Sequence, residues 1–319
     1  MKGKYIIEVY SNKLKYEMTI QRNITVIRGN SATGKTQLVN MIRDYNTFGA
    51  DSGIVLNCDR NCVVVEGMEW KKRILELTDA IIFIDEGNGF VRTDEFARLI
   101  NHNSNYFVLV TREKLSALPY SVKEIYGFRE SNKYGGIRQV FNEAYPLFHE
   151  LSVAEQDSHS IIVTEDSNSG WDFFNMVARN NQMSCISAKG KSNVLNTIVK
   201  LDKNKNTVLA VVDGSAFGSE MDDVVEYIRY HKKIALYAPE SFEWMILKSG
   251  IVAVPDAILS HMCDYVDSCE YLSWERFFTQ QLISVTQNTI YHYSKHKLNP
   301  AYLSQRNIDR IMSVMESLF

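Results

Sequence analysis

Short apolar runs and amphipathic stretches alternate along the chain, and the alternation occurs twice. Residues 4–9 (Lys-Tyr-Ile-Ile-Glu-Val) and 15–20 (Lys-Tyr-Glu-Met-Thr-Ile) are β-rich and separated by a polar Ser11-Asn12-Lys13 turn, which predicts a hairpin. A strand follows at 24–28, then a helix from Lys35 to about Arg43, short strands at 53–56 and 62–65, and a helix over 69–77. Residues 80–84 (Ala-Ile-Ile-Phe-Ile) are continuously apolar, as expected for a strand covered on both faces of a parallel sheet. A helix over roughly 92–101 and a strand at 106–110 (Tyr-Phe-Val-Leu-Val) close the first alternation.

Residues 131–158 break the pattern with Gly135-Gly136, Pro146 and several polar positions, which places a domain boundary there. The second alternation predicts strands at 160–164, 183–187, 207–212 and 233–237, with helices near 171–180, 191–200 and 219–230. From about 272 the pattern is helical, with apolar Phe277, Leu282, Ile283, Val285 and Ile290. A last helix is predicted over 303–318, after the Asn299-Pro300 break. The expected organisation is a first α/β domain over 1–140 and a second over 155–319 that ends in helices.

Composition changes this picture little. A chain of 319 residues accommodates two separate cores. The net charge of -3 argues against a protein coated in basic residues, while leaving room for a local nucleic-acid groove. No apolar run approaches the ~20 residues that span a bilayer, and Glu8 falls where a signal peptide needs its apolar stretch. A cytoplasmic protein without a membrane partner is expected. The five cysteines (Cys58, Cys62, Cys185, Cys263 and Cys269) form no disulfide framework and read as reduced thiols. Neither Cys58 with Cys62 nor His261 with Cys263 has a second Cys-x-x-Cys half, so zinc is not expected.

The candidate chemistry begins at residue 29. Gly29-Asn30-Ser31-Ala32-Thr33-Gly34-Lys35-Thr36 is a P-loop sequence between a predicted strand and a predicted helix, the context the motif requires. Its glycines let backbone N–H groups turn inward toward phosphates, and the following helix aims its positive end at the same anion. Lys35 is expected to reach the β- and γ-phosphates of ATP, and the Thr36 hydroxyl to ligate Mg²⁺. Asp85 ends the apolar run 80–84 and Glu86 follows it. The pair looks like a Walker B sequence, with Asp85 for the Mg²⁺ shell and Glu86 as the base that orients water. Thr111-Arg112 ends the next strand and is a candidate sensor of the γ-phosphate. No Asn-Lys-x-Asp guanine signature appears, so ATP is the default nucleotide.

Residues 1–115 resemble the ABC-type ATPases of the SMC/RecF kind, on the early antiparallel strands, the P-loop and Ile-Ile-Phe-Ile-Asp85-Glu86. No Leu-Ser-Gly-Gly signature accompanies them, a departure from the nucleotide-sandwich dimer of that class.

In the second half, Glu165 ends the strand 160–164 and Asp213 ends the strand 207–212. Acids at the C-terminal ends of parallel strands converge on one crevice, where they can hold Mg²⁺ and support phosphoryl transfer. This half resembles a Toprim domain over roughly 158–250. The resemblance rests on Glu165, the helix start Gly190-Lys191-Ser192-Asn193 and the element Asp213-Gly214-Ser215-Ala216-Phe217-Gly218. Ser215 stands where that element carries a second Asp, and a hydroxyl is a poorer Mg²⁺ ligand than a carboxylate. Asp166, Glu220 and Asp222 are candidates to compensate.

The resemblance thus implies a P-loop NTPase domain followed by a Toprim-like parallel α/β domain with C-terminal helices. The overcoming-lysogenization-defect nucleases share that architecture, which implies Glu165 and Asp213 as catalytic metal ligands beside Lys35 and Glu86. It also implies nucleic acid as a partner and a role in defence against phage or mobile DNA. The competing expectation is an ATP-dependent switch or scaffold whose degenerate Toprim-like half binds a partner protein or a second copy of the chain. Trp171, Phe173, Phe174, Phe242 and Trp244 are candidates to stack on nucleobases, although most of them read as core. Tyr291-His292-Tyr293-Ser294-Lys295-His296-Lys297 reads equally as a phosphate contact or as a solvated, cation-rich helix end.

Overall fold

The computed structural model describes residues 1–29, 34–131, 139–148, 160–203 and 206–316. It is a mixed α/β structure with two compact units. One comprises Met1–His149 with His261–Ser273, the other Glu150–Ser260 with Trp274–Phe319. The segment 261–273 thus returns to the first unit, and its contacts there are specific. Gly3 N donates to Cys263 O at 2.8 Å, and the Met1 ammonium donates to Ser268 Oγ at 2.7 Å.

The first unit is built on β1 (Tyr5–Tyr10), β2 (Leu14–Ile20), β3 (Ile24–Ile27), β4 (Val55–Asn57), β5 (Cys62–Val64), β6 (Ile81–Ile84), β7 (Tyr106–Val110), β8 (Ile125–Ser131) and β9 (Val140–Pro146). They form one large, mostly parallel sheet in the order β4-β1-β2-β9-β8-β3-β7-β6-β5. The expected hairpin is present, with Tyr5 opposite Ile20 and Tyr10 opposite Lys15. Strands β8 and β9 were not expected from the sequence. They pair antiparallel, and join the hairpin to the parallel core through β2–β9 and β3–β8.

Strands β4 and β5 lie at opposite edges of this sheet, yet only residues 58–61 connect them. Five Cα steps span at most ~19 Å, whereas nine flat strands at ~4.8 Å spacing would be about 38 Å wide. The sheet is therefore strongly coiled. Helix α1 (Lys35–Phe48) packs against β1, β4 and β5. The edge of β5 is covered by Asn46 of α1, which donates to Cys62 O at 2.9 Å and accepts from Val64 N at 3.2 Å. Leu38, Val39 and Ile42 form the buried stripe of α1, each contributing about 1.5–3 kcal/mol relative to exposure. Lys35 stands three residues before Leu38 and four before Val39, on the same buried stripe. The short helices α2 (Trp70–Glu76) and α3 (Asp94–Ile100) complete the unit.

The second unit contains β10 (Ile161–Thr164), β11 (Ser184–Ser187), β12 (Val208–Val211) and β13 (Ile234–Tyr237), all parallel, in the order β11-β10-β12-β13. Its helices are α4 (Ser169–Asn180), α5 (Val194–Lys203), α6 (Met221–Tyr230), α7 (Phe242–Lys248), α8 (Asp256–Ser260), α9 (Trp274–Thr286) and α10 (Gln305–Glu316). Among the described residues, no helix is long and apolar enough to cross a membrane. All five cysteines are free thiols.

Candidate functional site

Two sites emerge, one in each unit. In the first, β3, β7 and β6 run parallel side by side, with Ile27 opposite Val110 and Leu109 opposite Ile84. Their C-terminal ends therefore open on the same edge of the sheet. Arg28-Gly29, Thr111-Arg112 and Asp85-Glu86 follow those ends, with the β7 pair in the middle. The P-loop strand and the Asp85 strand are two inter-strand spacings apart, about 10 Å.

Asn30, Ser31, Ala32 and Thr33 lie outside the described residues. The ends of the loop are defined. Gly29 has φ +132 and Gly34 has φ +78, both in backbone space that favours glycine. Gly34 is needed for a second reason. The Tyr16 hydroxyl donates to Gly34 O at 2.9 Å, and a Cβ on Gly34 would lie 2.5 Å from that hydroxyl. Burial pushes the Tyr16 phenol up to about 12, so it remains a donor. The Lys35 ammonium donates to Gly29 O at 2.8 Å, which ties the two ends of the loop together.

Lys35 is buried, and desolvation holds its ammonium below the ordinary lysine range. The Arg112 charge adds to that depression, while Glu86 and Asp85 oppose it. The fold thus gathers into one electrostatic neighbourhood four residues that are up to 77 positions apart in the chain (112 − 35). Asp85 is raised above the usual carboxylate range, chiefly by burial, even though its Oδ1 accepts the Glu86 N–H at 2.8 Å. Arg112 Nε lies 3.3 Å from Glu86 Oε1. The Thr111 hydroxyl accepts the Glu113 N–H at 3.0 Å, so of the expected sensor pair it is Arg112 that faces the acids. Thr36 is exposed in the first turn of α1, and a hydroxyl and a carboxylate are both hard-oxygen donors of the kind Mg²⁺ takes.

In the second unit the chain starts at β10, steps to β11 on one side, and returns to β12 on the other. The strand order therefore reverses between β10 and β12, where an open α/β sheet forms its crevice. Glu165 follows β10 and Asp213 follows β12 by one further residue. Asp213 N donates to Glu165 Oε2 at 3.1 Å, so the two expected acids do meet. Gly214 makes the turn possible: a Cβ there would lie 2.5 Å from Ala238 O.

Of the acids expected to help, Asp166 lines the same cavity and accepts from Asn168 N at 3.2 Å and Nδ2 at 2.6 Å, while Glu220 accepts from Ser219 Oγ at 3.1 Å. Glu243 of α7 and Glu275 of α9, which were not expected, also face Asp213, and Lys295 stands among them. Its ammonium lies 3.4 Å from Glu243 Oε1 and makes a shorter ion pair with Glu275 Oε1. The Tyr293 hydroxyl donates to Glu243 Oε1 at 2.7 Å and contacts Ser169 Oγ at 2.5 Å. Glu165, Asp166, Asp213, Glu243 and Lys295 line a small cavity of about 30 Å³, enough to hold water.

Burial raises Glu165 to about 7, with Glu275 and Asp166 adding to the effect and the Asp213 N–H and Lys191 opposing it. Asp213 is raised well above the carboxylate range by burial and by the charges of Glu275, Glu165 and Glu243. Burial works against the Lys295 ammonium, but Glu243, Glu275 and Asp213 outweigh it and keep the group charged. Among the described residues, no set of three or more His, Cys, Asp or Glu side chains is arranged to hold a metal ion. Lys295, which lines the same cavity, places a positive charge beside the two carboxylates that the Toprim resemblance offers a divalent metal.

A scan of protein-family models and a search of curated proteins each return no match to this chain.

The sequence contained signals for the residues it did not single out. Ser241 before α7 is a cap whose hydroxyl accepts Trp244 N at 3.2 Å, and Glu275 opens a helical pattern. Residues 291–297 form no helix, which corrects the helix-end reading. Helix α9 ends at Thr286, and Tyr293 and Lys295 then turn inward onto carboxylates. Phe173, Phe174, Phe242 and Trp244 are buried, as core.

Proposed function

We propose that the chain is an ATP-binding and ATP-hydrolysing protein of the ABC/SMC-RecF-like kind, and that its second unit is a degenerate Toprim-like module that binds a partner. The observation that carries the first half is the convergence of Lys35, Asp85, Glu86 and Arg112 at one edge of the sheet. In this reading the N–H groups of the loop and the Lys35 ammonium bind the phosphates, with Lys35 exchanging Gly29 O for a phosphate oxygen. Thr36 and Asp85 would hold Mg²⁺, which when bound offsets the charge of the β- and γ-phosphates. Glu86 accepts the proton of the attacking water. Arg112 keeps Glu86 in place and adds positive charge beside the γ-phosphate.

For the second unit, the pairing of Lys295 with Glu275 and Glu243 favours a binding role. A nuclease acting on phage or mobile DNA, like the overcoming-lysogenization-defect enzymes, is the second reading. The adjacency of Glu165 and Asp213 supports it. Purified protein is expected to hydrolyse ATP with Mg²⁺, and Lys35→Ala to abolish turnover; equal turnover in that variant would overturn the ATPase reading. Incubation with plasmid or RNA in Mg²⁺ or Mn²⁺ separates the two roles. Cleavage lost in Glu165→Ala would establish the nuclease; intact substrate supports the binding module.

A further inference from the structure

In the second unit Glu165, Asp166, Asp213 and Glu243 line one small cavity with the Lys295 ammonium, and Glu275 reaches that ammonium from α9. Carboxylate charge that stays buried here needs a cation beside it, because isolated buried charges cost several kcal/mol each. Three contacts decide which cation it has. Lys295 bridges Glu275 and Glu243. The Ser215 hydroxyl, at the position where a Toprim element carries its second Asp, accepts the Glu275 N–H at 3.1 Å and so fixes the start of α9 beside the site. The Tyr293 hydroxyl donates to the same Glu243 oxygen that faces Lys295.

We infer that the Lys295 ammonium is the resident cation of this site, standing in for the divalent metal of a Toprim-like centre. Ser215 acts as the positioning residue that brings Glu275 to it. An ammonium supplies one charge and three N–H donors. Unlike Mg²⁺, it has no open coordination position at which to bind a phosphate oxygen or activate water. The arrangement offsets the carboxylates with the protein's own charge and engages Glu243 and Glu275, the two acids that approach Asp213 from α7 and α9. The inference rests on reading the second unit as Toprim-like, and it stands whether or not the first unit hydrolyses ATP.

The test is Mn²⁺ binding to the full chain without nucleotide, followed by electron paramagnetic resonance, with thermal melts as a check on folding. Wild type is expected to show no Mn²⁺ binding that Asp213→Asn removes. Lys295→Met is expected to gain one Mn²⁺ site, tighter by on the order of 10-fold or more than any in wild type. Adding Asp213→Asn or Glu275→Gln to that variant should remove the gained site, and Lys295→Arg should gain none. The inference is overturned if wild type holds Mn²⁺ at a site that Asp213→Asn abolishes, a result that needs no Lys295 variant to fold. It is equally overturned if folded Lys295→Met gains nothing. Neither outcome bears on ATP turnover, which Lys35→Ala reads separately.

Discussion

The Ser215 hydroxyl accepts the backbone N–H of Glu275 at 3.1 Å, across sixty positions of sequence (275 − 215). Ser215 is buried, and this bond caps the first turn of α9 from outside the helix. The residue that departs from a metal-binding pattern thus has a structural use.

Replacing Ser215 by Ala leaves a helix N–H without its acceptor, and is expected to cost about 1 kcal/mol. A melt of the variant reads the loss. Ser215→Asp keeps an acceptor but adds a further carboxylate to the cluster, so it should be less stable than Ser215→Ala. A melting temperature for Ser215→Asp at or above wild type would contradict this account.

Gly34→Ala is expected to lose stability and nucleotide binding together. It places a side chain at φ +78 and a methyl 2.5 Å from Tyr16 Oη. The backbone strain is of order 1–3 kcal/mol. Adding Tyr16→Phe removes the nearest atom, and should restore part of the stability while the strain remains. No recovery in the double variant would mean that the Tyr16 contact is not what limits the site.

Arg112→Ala separates stability from turnover. Both partners of the Arg112–Glu86 pair are about half exposed, with side-chain exposures of 48% and 38%, so its loss should shift stability by less than about 1 kcal/mol. If Arg112 positions Glu86 and faces the γ-phosphate, kcat for ATP should fall by roughly 10²-fold with a smaller change in KM. Unchanged kcat would remove Arg112 from the hydrolytic site.

Glu165 makes stability depend on pH. Its folded-state pKa is raised to about 7 from an ordinary 4.5, mainly by burial. Between those values the folded chain holds a proton that the unfolded chain has released, so stability falls as pH rises from 4.5 to 7 and levels off above. The loss approaches about 3–4 kcal/mol at most, because each tenfold difference in proton affinity between the two states is worth about 1.4 kcal/mol. Glu165→Gln retains the acceptor for Asp213 N–H and cannot ionise. It should melt several degrees above wild type at about pH 8 and converge with it near pH 5. Parallel curves over that range would show that Glu165 ionises freely in the folded protein.

Local pattern determined much of this protein. The apolar runs at Ile81–Ile84 and Tyr106–Val110 are buried along their whole length, and their periodicity marked them as central parallel strands. The hairpin β1–β2, the helix after Gly34 and the four strands of the second unit followed from short-range signals, as did the positions of Lys35, Asp85, Glu86, Glu165 and Asp213 at element ends. Each of these depends on residues only a few positions apart.

Only the tertiary structure decided the rest. Strands β8 and β9 pair with β3 and β2, partners roughly 100 or more positions away, so their own sequence carries little sign of them. That Arg112 meets Glu86 follows from β7 lying between β3 and β6, an order no local pattern encodes. Glu243, Glu275 and Lys295 reach Asp213 from a helix, a second helix and a loop, and no spacing in the chain links them. A residue type at an element end is local information. Which charges share a buried space is set by packing, and packing gives this acidic crevice an ammonium of its own.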